Sequence, residues 1–227
     1  MSKISIIIPY LPVSEKADDM TLKCVDLIYK NTYNEKEVII ISNGNVGYKF
    51  LSKMNTDCDI KIYSQNYGCA FAWDRGVEFA KNDIVILVNN DVFVEQDWDK
   101  EMVERLSDKN IGATFSYSVL GTNDYRMIQY RARKDGFCFA FRKEVYDKTG
   151  PFLKDQPFHS YYEDDAFFAE IQFNLGMDLV GCPTSKVFHK GQGTTKEILD
   201  EVVKSGIDSN KTWFENKYDG KYPYLKK

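Results

Sequence analysis

The stretch Asn82-Asp83-Ile84-Val85-Ile86-Leu87-Val88-Asn89-Asn90-Asp91-Val92-Phe93-Val94 decides how this chain reads. Residues 84–88 are apolar, mostly β-branched and uninterrupted. So short and so apolar a run predicts a strand covered on both faces. Asn89, Asn90 and Asp91 then stand at its carboxyl end, which is where open α/β sheets bind ligands. Asn and Asp also end strands simply by bonding their own turn backbone, so the rest of the chain must decide between the two.

Upstream, apolar runs at residues 4–8, 38–41 and 60–63 predict three more strands, the first stopped by Pro9. Helical spacing separates them at residues 18–30, 48–54 and 70–80. This alternation predicts an α/β fold with a doubly wound, mostly parallel sheet flanked by helices. Downstream the pattern changes. Helices are expected at residues 98–106, 144–148, 163–175, 195–203 and 210–217, and strands at 111–119, 137–141, 179–180 and 187–188. Residues 121–134 are polar and give no clear pattern, and residues 152–162 form an aromatic-rich loop. No repeat or linker interrupts the 227 residues, so one domain in two halves is expected: residues 1–91 to bind a nucleotide and 92–227 to face an acceptor.

Composition narrows the function classes. Apolar residues make up 43%, enough for a full core. A net charge of -4 gives no support to a broad nucleic-acid-binding face. The five cysteines are odd in number and lack metal-ligand spacing, which predicts reduced, mostly buried thiols. With no signal-peptide pattern and no apolar run near the roughly 18–20 residues of a membrane span, a soluble, cytoplasmic protein is expected.

The four strand ends carry Pro9-Tyr10, Ser42-Asn43-Gly44, Asn66-Tyr67-Gly68 and Asn89-Asn90-Asp91. Along one sheet edge these would form a ligand crevice. Neither a Gly-x-Gly-x-x-Gly nor a Gly-Lys-Ser/Thr motif is present, so a diphosphate would need a metal ion in place of a glycine cradle. Glu163-Asp164-Asp165 place three carboxylates at a helix start. Acids there suit the helix dipole, but beside the aromatic residues 158–162 one of them could also serve as a general base. His189 ends an apolar strand before Gly191-Gln192-Gly193. With an aspartate and diphosphate oxygens it would suit Mn2+ or Mg2+.

In chain order these motifs resemble the inverting glycosyltransferases of family 2, which have the GT-A fold. The resemblance rests on Ile6-Ile7-Ile8-Pro9, Ser42-Asn43-Gly44-Asn45, Asn66-Tyr67-Gly68, Asn89-Asn90-Asp91, Glu163-Asp164 and His189, and covers residues 4–194. It implies transfer from a nucleoside-diphosphate sugar to an acceptor hydroxyl on a glycan, lipid-linked sugar, protein or modified nucleobase. Asp91 would bind the metal, and His189 would close over the ion and the diphosphate. Asn89 and Asn90 would lie against the ribose and phosphates, with Asn43 and Asp74 near the base. Asp164 would deprotonate the acceptor, and Glu163 would touch it. Ser42, where many relatives have Asp, and Trp73-Asp74, in place of Arg-Asn or Asn-Asn, depart from the pattern and leave the nucleobase open. Two rivals are a degenerate GT-A-fold carbohydrate- or nucleotide-binding protein and a sugar-nucleotide pyrophosphorylase. The pyrophosphorylase would carry a Gly-rich basic loop where residues 9–13 read Pro-Tyr-Leu-Pro-Val. A metal-dependent nuclease could also use Asp91, Glu163 and Asp164, but the net charge disfavours it.

Overall fold

A computed structural model describes residues 1–54, 57–120, 130–132, 136–154, 161–191 and 201–225, with backbone only at 119–120, 130–132 and 201–204. The first half alternates β1 (Lys3–Tyr10), α1 (Glu15–Asn31), β2 (Glu35–Asn43), α2 (Tyr48–Lys53), β3 (Asp59–Tyr63), α3 (Cys69–Phe79) and β4 (Ile84–Val88). There follow β5 (Val92–Val94), α4 (Lys100–Arg105), β6 (Ile111–Leu120), β7 (Tyr130–Ala132), β8 (Cys138–Arg142), α5 (Lys143–Thr149) and α6 (Glu163–Ala169). A π-helical turn (Glu170–Asn174), β9 (Asp178–His189) and α7 (Glu201–Lys217) complete the described chain.

One sheet runs β3-β2-β1-β4-β8-β6-β9-β5, with β7 paired to β6. From β3 to β4 every pairing is parallel. Past β4 the sheet is mixed: β8 is antiparallel to β4 and β6, β9 is parallel to β6, and β5 is antiparallel to β9. The regular strand–helix alternation stops at β4, and the parallel pair β6–β9 beyond it is joined by a long connection through β7, β8, α5 and α6. The sheet is thus parallel across β3 to β4 and mixed beyond it.

Successive β1 side chains enter two cores, as a strand's two-residue period dictates. Ile4, Ile6 and Ile8 pack with Cys24, Val25 and Ile28 of α1 and with Trp98. Ile7 packs on the other face with Ala70, Trp73 and Val77 of α3 and a group of phenylalanines from β6, β8 and α6. The phenylalanine group is locked by ring contacts such as Phe139–Phe168 at 4.9 Å and Phe152–Phe167 at 4.3 Å.

Several expected boundaries move for identifiable reasons. Pro9 does not stop β1, because β4 ends its pairing at Ile7 and only β2 still flanks Pro9; a missing N–H is tolerated at such a position. Residues 179–180 and 187–188 belong to a single strand, β9, whose register slips between Cys182 and Lys186, where Pro183 has no N–H to offer the ladder. Trp98 is not helical. It plugs the core ahead of α4, fully buried, and its indole donates to Thr32 Oγ1 at 3.1 Å. The helix expected over 163–175 changes to π geometry at Glu170. The three-residue β5 was not expected. Most of residues 121–134, residues 155–160 with His159, residues 192–193 and residues 195–200 lie outside the described residues. Among the described residues no helix is long and apolar enough to cross a membrane.

Gly76 lets α3 sit directly on β1. A Cβ there would stand 2.2 Å from Ile7 Cγ2, and Ile7 is fully buried. Gly76→Ala gains about 1 kcal/mol of helix propensity. Overpacking a dense core costs about 1–3 kcal/mol, and with no room for Ile7 to yield, the clash should outweigh the gain. Denaturant melts are expected to show a less stable variant with an unchanged m-value; equal or greater stability would mean that the helix–sheet contact is loose.

Candidate active site

The parallel strands β3, β2, β1 and β4 bring their carboxyl ends to one edge, and α3 begins at the same edge. Three expected residues meet there. The Asn43 amide donates to the Gly68 carbonyl at 2.8 Å, and Asn66 Oδ1 accepts the Gly68 N–H at 2.9 Å. Gly68 adopts a φ of 90°, which glycine reaches without strain. Asn43 Oδ1 is buried with no hydrogen-bond partner.

After β4 the chain turns sharply, and the three polar residues part company. The Asn89 N–H donates to the Phe137 carbonyl at 2.8 Å, extending the β4–β8 ladder by one residue, while Asn89 Oδ1 is buried without a partner. Asn90 turns the other way, its amide donating to Thr21 Oγ1 of α1 at 2.9 Å. The structure thus gives Asn90 a bracing contact with the helix. Asp91 faces His189, with Oδ1 3.2 Å from Nε2, because β5 and β9 pair in a register that sets Val92 opposite His189. The Lys190 N–H donates to the Asp91 carbonyl at 3.0 Å and closes the corner. The Phe137 ring stacks on His189 with centroids 4.5 Å apart.

Gly136, the residue before Phe137, donates its N–H to Asp164 Oδ2 at 2.8 Å. A Cβ on Gly136 would lie 2.7 Å from both Asp164 Cβ and Oδ2 and 2.9 Å from Trp73 Cη2. Two adjacent residues thus touch the end of β4, the Asp91–His189 pair and the acidic cluster. Glu163 is buried at 4% exposure, and Oε2 has no hydrogen-bond partner. Burial, then the charge of Asp164, holds its carboxyl well above the usual carboxylate range. The Cys69 thiol lies against it, its own pKa raised by burial and by the same acids. The sequence could suggest a perturbed acid here, but not that Glu163 would be the most deeply buried of the three.

Two other expected ligand contacts have structural partners. Asp74 is buried and accepts from the Tyr146 hydroxyl at 2.8 Å, the Phe152 N–H at 2.8 Å and the Leu153 N–H at 2.9 Å. Its carboxylate thus braces that loop. Tyr10 is buried, stacks on Phe50 at 4.7 Å and donates to Asp18. Gly136, Phe137, Cys69 and Thr21 went unnoticed in the sequence. The one available signal was a glycine abutting an apolar run, which marks close backbone approach.

Residues 5–169 match the profile of glycosyl transferase family 2. The chain belongs to that family. It is 26% identical over 124 residues to glycosyltransferase GlyA of Streptococcus pneumoniae serotype 4, a match covering 51% of this chain and 17% of that protein. The chain thus spans less than a fifth of that relative's length. Among solved structures it resembles mannosyltransferase PcManGT from Pyrobaculum calidifontis, in complex with GDP-Man and Mn2+. The TM-score is 0.62 at 16% identity, over 97% of this chain and 76% of that one. It also resembles GalNAc-T7 with UDP, GalNAc and Mn2+, with a TM-score of 0.61 at 16% identity, over 83% of this chain and 44% of that one. The fold is GT-A.

For this family 2 chain the donor set for an ion is sparse. Among the described residues no three His, Cys, Asp or Glu side chains group to hold one. The converging pair Asp91 and His189 suits an ion that takes its other ligands from phosphate oxygens and water. The buried, unpartnered Asn89 Oδ1 adds a hard oxygen to the same turn.

The buried Glu163 has a consequence for stability. Its raised folded-state pKa means that the native state keeps a proton that the unfolded chain releases above the ordinary glutamate value. Stability therefore falls as pH rises through that window. Glu163→Gln removes this slope. Its melting temperature relative to wild type should rise between about pH 5 and about pH 9; parallel curves would show that Glu163 ionises normally.

Proposed function

We propose that this chain is a metal-dependent, inverting glycosyltransferase that moves a sugar from a nucleoside-diphosphate sugar to an acceptor hydroxyl. The observation that carries the reading is the convergence of Asp91–His189 and Asp164 on Gly136-Phe137. It supports a donor half up to Asp91 and an acceptor half beyond it. None of the five cysteines is in a disulfide, which supports a reducing compartment such as the cytoplasm.

Asp91 and His189 would hold Mn2+ or Mg2+, which when bound supplies positive charge to a diphosphate leaving group. Asn43, Asn66 and Gly68 line the strand-end edge as contacts for the nucleoside, with Pro9 beside them. Asn89, whose buried oxygen lacks a partner, would lie against the ribose and phosphates. Asp164, oriented by the Gly136 N–H, accepts the proton of the acceptor hydroxyl. That oxygen bonds the anomeric carbon as the bond to the diphosphate oxygen breaks. A single displacement of this kind inverts the carbon. Glu163, kept protonated by burial, leaves Asp164 the nearer carboxylate able to take a proton.

Thermal shift with UDP, GDP and dTDP tests the donor side. A diphosphate at 100 times its dissociation constant adds about 2.7 kcal/mol, roughly 5–10 °C for a domain this size. We expect that shift with Mn2+, none in EDTA, and none in Asp91→Ala. Asp164→Asn should keep the shift but lower transfer, or hydrolysis of the sugar nucleotide by water, by about 10²–10⁴. An equal shift in EDTA would reject the metal-bridged site, and an active Asp164→Asn would reject the base.

A further inference from the structure

Tyr161 and Tyr162, the two residues before Glu163, both adopt left-handed backbone, with φ of 68° and 65°. Side chains with a Cβ avoid this region, and two consecutive tyrosines there persist only when their surroundings impose it. The surroundings come from α7. Asn210, fully buried, donates its side-chain amide to the Tyr161 carbonyl at 2.9 Å. The Tyr162 ring lies 5.7 Å from Phe214, which packs with Ala166, Ala169 and Tyr218. The Tyr218 hydroxyl donates to Glu170 at 2.8 Å, so α7 grips α6 and the turn after it as well as the strained pair. The turn at Tyr161-Tyr162 sets the direction in which α6 begins, and so where Asp164 meets Gly136. Helix α7 lies beyond residues 5–169, the stretch that matches the family.

We propose that α7 is part of the catalytic unit and that Asn210 is a positioning residue, holding the left-handed tyrosine pair so that Asp164 faces the donor. The proposal rests on the reading of Asp164 as the base. When the amide–carbonyl bond is lost, Tyr161 can relax to negative φ, which swings the start of α6 while leaving the Asp91–His189 corner in place. Misplacing a catalytic group by about 1 Å can cost about 10²-fold in rate.

The test compares Asn210→Leu, which removes the donor at similar volume, with Tyr161→Gly, the double variant and Phe214→Leu. The readouts are hydrolysis of GDP-mannose and UDP-hexoses, diphosphate affinity with Mn2+, and amide hydrogen exchange of residues 161–166. Asn210→Leu should lose about tenfold or more in turnover, with KM and diphosphate affinity little changed and exchange at 161–166 faster. Because glycine takes positive φ freely, Tyr161→Gly should be near wild type, and in that background Asn210→Leu should cost far less, a non-additive pair. Phe214→Leu should lower the melting temperature with a smaller effect on turnover. Unchanged exchange and turnover in Asn210→Leu, additive losses in the double variant, or an equal turnover loss in Phe214→Leu would each overturn the proposal. An active Asp164→Asn would instead overturn the base assignment, while the exchange data still judge the Asn210–Tyr161 contact.

Discussion

The site depends on one short hydrogen-bonded contact between two strand ends. The Asn89 N–H meets the Phe137 carbonyl at 2.8 Å, and the residue beside it, Gly136, has no side chain to keep α6 away. Because that contact fixes where β8 starts relative to where β4 ends, it also fixes which face of Phe137 is free to stack on His189. The same dipeptide offers its other N–H to Asp164. An aspartate from β4's end, a histidine from β9's end and an aspartate from α6 are thus linked through Gly136-Phe137 although no two are close in sequence.

The parallel half was legible because strands covered on both faces read as uninterrupted apolar runs, as in residues 4–8, 38–41 and 84–88. The second half was less so. The sequence shows no period across β9, where Pro183 lies inside a slipped register, and β5 is too short to carry one. The acidic and histidine ends of the site were visible as residue types in the right order. Their orientation was not. Asn89 and Asn90 are chemically identical in the sequence, and what separates them is Thr21, 69 residues away. The bracing role of Asp74 was hidden for the same reason: its partners Tyr146, Phe152 and Leu153 lie 72 to 79 residues downstream.

Burial sorts the acidic cluster. Glu163 is enclosed between Cys69 and its acidic neighbours, and its carboxyl is held protonated by desolvation. Asp164 is only half-buried and has a backbone donor. Adjacent residues on a helix point about 100° apart, so Glu163 is buried while Asp164 beside it stays half-exposed. The helix-dipole reading of these acids is thus compatible with one of them doing chemistry.

On the proposed mechanism, Gly136 allows Asp164 its close approach to the dipeptide that also packs on His189. Gly136→Ala is the substitution that probes this approach, because the atoms nearest the added methyl group would be Cβ and Oδ2 of Asp164 and Cη2 of Trp73. With nucleoside diphosphate and Mn2+ affinity measured alongside sugar-nucleotide turnover, the expected result is near-normal affinity and turnover reduced by about 10². Unimpaired turnover, or loss of diphosphate affinity with turnover at saturation intact, would contradict it.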